Sequence, residues 1–171
     1  MMMDSMFSRI ICVIAFAFST AFSSCYTFSG ASISPDVKTI NIHTIPNQSS
    51  LVIPSLSQSF TEKLKDKFQT GTQLSLVNTG GDLEISGQIA STSVTPVAAQ
   101  ANQTAALNRL AISVSIDFKN HKDDKQSFSQ TFSRYADFDS HSNLAAVQSS
   151  LIEEINAQLA DDIFNKAVVN W

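Results

Sequence analysis

Cysteine is nearly absent from this chain of 171 residues: there are two, Cys12 and Cys25. Cys12 lies in an apolar run near the start, and Cys25 closes the string Ala21-Phe22-Ser23-Ser24-Cys25. Beyond residue 25 there is no thiol for a disulfide, a thiolate metal ligand or a cysteine nucleophile. A core of this size needs no such staple. Charge is also thin, at 15% of residues, against roughly 25% in average proteins. Ser, Thr, Asn and Gln fill the gap, so the surface is polar more than ionic. The net charge of −4 lacks the basic balance that nucleic-acid phosphates call for. Long apolar runs are missing too. The longest, Ile10 to Phe22, is broken by Ser19 and Thr20 and falls short of the about 20 residues of a membrane-spanning helix.

That run fits the apolar region of a secretory signal. Ending in Cys25, it reads as a bacterial lipoprotein signal: cleavage before Cys25, with acyl chains (palmitate among them) on its sulfur and new amino group. Asp4 offsets Arg9, and a start at Met6 would leave Arg9 alone and restore a positive end. An ordinary cleaved signal and an uncleaved anchor are the other readings. The expected organisation is a signal over 1–24, a lipidated tether over 25–35, and one domain over 36–171. Two or more acyl chains hold a membrane stably where one does not. The first acid after Cys25 is Asp36. By the general sorting rule for bacterial lipoproteins, that lack of early acids points to the periplasmic leaflet of the outer membrane.

Along the domain, Val37 to Ile45 alternates as a strand, with Ile40 and Ile42 toward the core and Val37 and Ile45 on the other face. Ser55-Leu56-Ser57-Gln58 reads as a capping box opening a helix. Leu56, Phe60, Leu64 and Phe68 then form its apolar stripe, and Gly71 ends it. Leu74 to Val77 is a short strand, and residues 78–82 form a turn whose glycines can supply positive φ. Three alternating segments follow, 83–94, 107–119 and 126–135, expected as an antiparallel meander. Pro96 is expected to stop the first, and Ala98 to Ala106 to be a loop. The last segment, from Leu144 through Val147, Leu151, Ile155, Leu159 and Ile163, has helical spacing. The first helix should cross between two parallel strands. The fold class is α+β: a two-layer sandwich, with two helices packed on one face of a mixed sheet of four to five strands.

No residue set carries catalysis. His43, His121 and His141 show no ligand spacing, and Asp123-Asp124 and Asp161-Asp162 are adjacent pairs whose members point apart. Gly80-Gly81 lacks the Lys-Ser or Lys-Thr of a phosphate loop, and a hairpin turn explains it. No serine sits in a nucleophile elbow. The informative feature is the far face of the sheet, where Ser86, Gln88, Thr92, Ser113, Ser115, Ser127, Ser129, Thr131 and Ser133 place small polar groups. Such a face is either solvated or packed on another polar surface, and the lumen of an outer-membrane barrel is one such surface.

Several strings resemble one family. They are Cys25-Tyr26-Thr27-Phe28-Ser29-Gly30, Pro35-Asp36-Val37-Lys38-Thr39-Ile40 and Leu56-Ser57-Gln58-Ser59-Phe60-Thr61-Glu62. Thr104-Ala105-Ala106-Leu107-Asn108-Arg109-Leu110, Leu151-Ile152-Glu153-Glu154-Ile155 and the closing Asp162-Ile163-Phe164-Asn165-Lys166-Ala167-Val168-Val169-Asn170-Trp171 do so too. Together they resemble the LPS-assembly lipoprotein (LptE) family over nearly the whole mature chain. The resemblance implies a non-enzymatic outer-membrane lipoprotein without cofactor or metal, anchored on the periplasmic side. It implies that the chain plugs, and helps to fold, the large LptD-like barrel that inserts lipopolysaccharide into the outer leaflet. Basic residues near the polar sheet face would then meet lipopolysaccharide phosphates, and Arg109 and Arg134 are the candidates. A lipoprotein that activates a cell-wall enzyme is the alternative, but it needs a longer linker than Ser29 to Pro35. A tethered hydrolase would need a catalytic set that the chain does not offer.

Overall fold

The computed structural model describes residues 33–51, 53–97 and 106–168. The expected signal, Cys25, and residues 98–105 of the expected loop lie outside the described residues. The elements run β1 (Thr39–Ile42), α1 (Leu56–Gly71), β2 (Ser75–Leu76), β3 (Leu83–Val97), β4 (Leu107–Asn120), β5 (Phe128–Asp139) and α2 (Leu144–Val168). The five strands make one sheet in the order β2-β1-β3-β4-β5. β1 is parallel to both its neighbours, while β3, β4 and β5 are antiparallel. Both helices pack on one face of this mixed sheet, so the architecture is the expected α+β sandwich.

The apolar periods build the two layers. Leu56, Phe60, Leu64 and Phe68 of α1 are fully buried, as a four-residue repeat on one helix face demands. Leu110, Ile112, Val114, Ile116 and Phe118 of β4 line the same core from the sheet. α2 buries a wider stripe, since it touches both the sheet and α1. The two helices run side by side in the same direction. Asn156 meets Ser59, Lys67 pairs with Asp161 at 2.6 Å, and Phe164 packs edge-on against Phe68 at 5.2 Å between ring centres.

Several local expectations are corrected. Val37 and Ile45 are buried, not outward, because the β1 ladder is short and the chain turns under α1 after it. Thr61 Oγ1 accepts from the Ile45 N–H at 3.0 Å, and Ser57 Oγ donates to the Ile45 carbonyl at 2.6 Å. The capping box is not formed: Ser55 is the N-cap residue but makes no side-chain capping bond, and Ser57 and Gln58 bond elsewhere. Asn143 does cap α2, its side-chain oxygen accepting from the Ala145 N–H at 3.0 Å.

The connection over residues 78–82 is no hairpin, because β1 lies between the strands it joins. Gly80 takes φ of 63°, and Gly81 lies so close to β1 that a Cβ there would stand 2.7 Å from the Asn41 nitrogen. Pro96 does not stop β3, which pairs with β4 as far as Val97. At that height β4 is the partner on one side and no strand pairs with the other edge among the described residues, so a missing N–H there costs no ladder bond. β5 runs to Asp139, past the expected 135, since Ala136 and Phe138 continue its inward alternation.

Candidate functional site

The face of the sheet away from the helices is the candidate surface. Its centre is the β4–β5 pair, whose register sets Arg109 opposite Asp137, Ser113 opposite Ser133 and Ser115 opposite Thr131. Each pair closes a cross-strand bond. Ser113 Oγ donates to Ser133 Oγ at 2.9 Å, and the hydroxyls of Ser115 and Thr131 stand 3.0 Å apart. Arg109 donates to both Asp137 oxygens, from Nε at 2.7 Å and Nη2 at 2.9 Å. Its guanidinium also lies 3.6 Å from the ring centre of Tyr135, which is 50% exposed. The Asp137 hydrogen bonds lift the Arg109 pKa further, and those bonds hold the Asp137 carboxyl below its usual range. The result is a flat wall of short hydroxyls ending in one stacked, carboxylate-paired arginine. Ser86 and Gln88 of β3 extend the face, lying opposite Asp117 and Ser115.

Two residues expected on this face are elsewhere. Thr92 points into the core, because the register slips between Ile89 and Ser91 and reverses the alternation beyond it. Ser127 stands before β5, and its hydroxyl accepts the Asn120 N–H at 3.0 Å.

The two candidate arginines are not brought together. Arg109 lies on the open face. Arg134 lies opposite Ile112, on the helix side of β5, and its Nε and Nη2 donate to Asp162 of α2 at 2.5 and 2.6 Å. The expectation that both fall near the polar face therefore holds for Arg109 alone. Cys25 lies outside the described residues.

The register also assembles a group that linear spacing hides. Glu84 of β3 is next to Asn41 of β1 and Lys119 of β4. Its carboxylate meets His43 Nε2 at 2.7 Å and His121 Nε2 at 3.1 Å. Those bonds, first to His43 and then to His121, depress the Glu84 pKa. The three residues are 37 or more positions apart for each contact, so only the strand order could have revealed them. Among the described residues, no cluster of three or more His, Cys, Asp or Glu is arranged to hold a metal. No helix among them is long and apolar enough to cross a membrane.

A family profile described as lipopolysaccharide-assembly, LptE, matches residues 37–167. The chain belongs to the LptE family. The match covers every strand of the sheet, α1 and all but the last residue of α2. The sandwich is also found in a solved lipoprotein. The rare lipoprotein B from Shewanella oneidensis aligns with a TM-score of 0.51 and 12% identity, over 73% of this chain and 91% of that one. A minor lipoprotein from Acinetobacter baumannii aligns with a TM-score of 0.47 and 13% identity, over 76% and 91%. At such identities the structural likeness concerns the fold. No curated protein matches the chain in sequence. Membership in the LptE family places the chain among the lipopolysaccharide-assembly lipoproteins.

Proposed function

We propose that the chain is an outer-membrane lipoprotein that plugs, and helps to assemble, the barrel translocon delivering lipopolysaccharide to the outer leaflet. The LptE match over residues 37–167 carries this reading. The open β4–β5 face supports it. A barrel lumen is lined by polar side chains, and a flat wall of serine and threonine lets two such surfaces approach closely with bridging water. In this reading Cys25 is the acylated anchor, and the tether over 25–35 delivers the domain to the barrel mouth.

Arg109 is the proposed phosphate contact, because a guanidinium holds phosphate oxygens as it holds a carboxylate. Lipopolysaccharide would have to displace Asp137 or share the arginine with it. Arg134 is proposed as a second contact, reached from the helix side through exchange with Asp162.

In-cell photocrosslinking from Ser115 tests the docking. A crosslink to a large outer-membrane barrel is the expected result, and recovery of the chain from detergent without any barrel would count against the reading. Mass spectrometry of the native protein should show acyl groups on Cys25, and a free thiol there would remove the anchor.

A further inference from the structure

The sheet has three free edges among the described residues, and two of them are blunted. β2 is two residues long. The far part of β3, which pairs with β4 alone, carries the register slip between Ile89 and Ser91 and then Pro96. Short strands, bulges and proline are the devices that keep a sheet from adding a stray strand. β5 has none of them. It spans twelve residues without proline, lysine or glycine, and its register against β4 is unbroken. Its single basic side chain, Arg134, is neutralised by Asp162.

The register says which groups this edge offers. The Ser140 N–H donates to the Ala106 carbonyl at 3.0 Å, one step beyond the Leu107–Asp139 pair. Bonded and non-bonded pairs alternate along an antiparallel ladder, so the even-numbered residues of β5 bond to β4. The N–H and C=O groups of Ser129, Thr131, Ser133, Tyr135 and Asp137 therefore point away from the sheet. Evenly spaced donors and acceptors of this kind are matched by another extended backbone.

The strand is also complementary to itself. A twofold axis through the middle of β5 falls at Ser133 or at Arg134. An axis at Arg134 sets the two arginines against each other, which weakens the pairing. An axis at Ser133 opposes no like charges: Arg134 meets Phe132, Phe128 meets Phe138, and Thr131 meets Tyr135. A cation beside a ring and an aromatic pair are favourable cross-strand neighbours. The odd-numbered residues then exchange about ten backbone hydrogen bonds.

We infer that β5 is a pairing edge for a second copy of this chain, the two strands antiparallel about an axis at Ser133 and joining two five-stranded sheets into one. The inference rests on the edges of the sheet and not on the barrel reading, which concerns its open face.

The test uses the full chain in detergent, with its mass followed by sedimentation. The expected result is a dimer. Ser133→Lys sets like charges across the axis and should weaken association by about fivefold. Ser133→Pro removes both central N–H donors without taking a bond from β4, and should weaken it by at least about tenfold. Ser133→Lys serves if the proline disturbs the fold. Under mild oxidation Ser133→Cys should form a disulfide with its own copy, above the wild-type background, since bonded Cα partners stand about 5.5 Å apart and within bridging range. Ser129→Cys, which meets Asp137, should not. A monomer at every concentration reached would overturn the inference. So would a dimer that both Ser133 substitutions leave intact, or equal crosslinking of the two cysteine variants. If the edge were covered only once a barrel protein was added, it would belong to that partner, and the pairing of copies would be overturned as well.

Discussion

Asp82 and Thr39 hold each other in both directions. The Thr39 hydroxyl donates to Asp82 Oδ2 at 2.9 Å and accepts the Asp82 N–H at 3.0 Å. The same carboxylate oxygen takes the backbone N–H groups of Lys38 and Thr39, at 2.9 and 3.1 Å, and Lys122 Nζ lies 3.1 Å from its other oxygen. The Lys38 N–H contributes most to holding this carboxyl far below the usual range, and the Thr39 hydroxyl comes next. A depressed folded-state pKa gives stability that is present above the unfolded carboxyl's value and is lost as pH falls through the folded one. Asp82→Asn should therefore lower the urea midpoint at pH 7, and the gap from wild type should narrow below about pH 4. A gap that stayed constant with pH would show that the charge of Asp82 does not matter.

Gly87 adopts φ of 154°, and a Cβ there would stand 2.1 Å from the Ser115 carbonyl oxygen. Gly80 also has positive φ, but the space around it is open. Gly87→Ala is expected to cost about 3 kcal/mol and Gly80→Ala about 1 kcal/mol. Chemical denaturation of the two variants checks the order.

At Gly71 the reason for glycine is packing: a Cβ would lie 2.6 Å from the end of the Phe164 ring. Gly71→Ala should destabilise by about 1–3 kcal/mol. In the double variant Gly71→Ala with Phe164→Leu, the smaller side chain makes room for the methyl. The combined loss should then be less than the two single losses added, by about 1 kcal/mol. Strict additivity in a double-mutant cycle would contradict this contact.

Thr92 is 4% exposed, and its hydroxyl has no partner among the described residues. Thr92→Val keeps the shape and removes the unmet group, so it should raise stability by about 1 kcal/mol. Thermal unfolding of the variant measures it.

The same residue marks where sequence reading stops. The alternation of Leu110 to Phe118 and the four-residue repeat of α1 were legible because one residue period decides each element. Simple alternation puts Thr92 on the wrong face because one extra residue, Ala90, shifts the phase and leaves no mark in composition. The short ladder of β1 concealed that Val37 and Ile45 turn inward, since the helix contacts of Ile45 are tertiary. At the candidate site, the pairing of Ser113 with Ser133 followed from a meander once its register was known. The Arg109–Asp137 pair needed β5 to reach Asp139, and the partition of Arg109 and Arg134 between faces needed the register itself. The meeting of His43 and His121 at Glu84 depended on β1 lying beside β3, which no local pattern encodes.

The position of β1 has a mechanical consequence. Its ladder has neighbours on both sides, and the Asp82 carboxylate clasps the backbone at Lys38 and Thr39, where the strand begins. A pull on the chain ahead of Thr39 thus enters the sheet through an interior strand. The load divides between β2 and β3 in place of peeling an edge, so a jolt on the leading segment would be spread across the sheet before any strand tore loose.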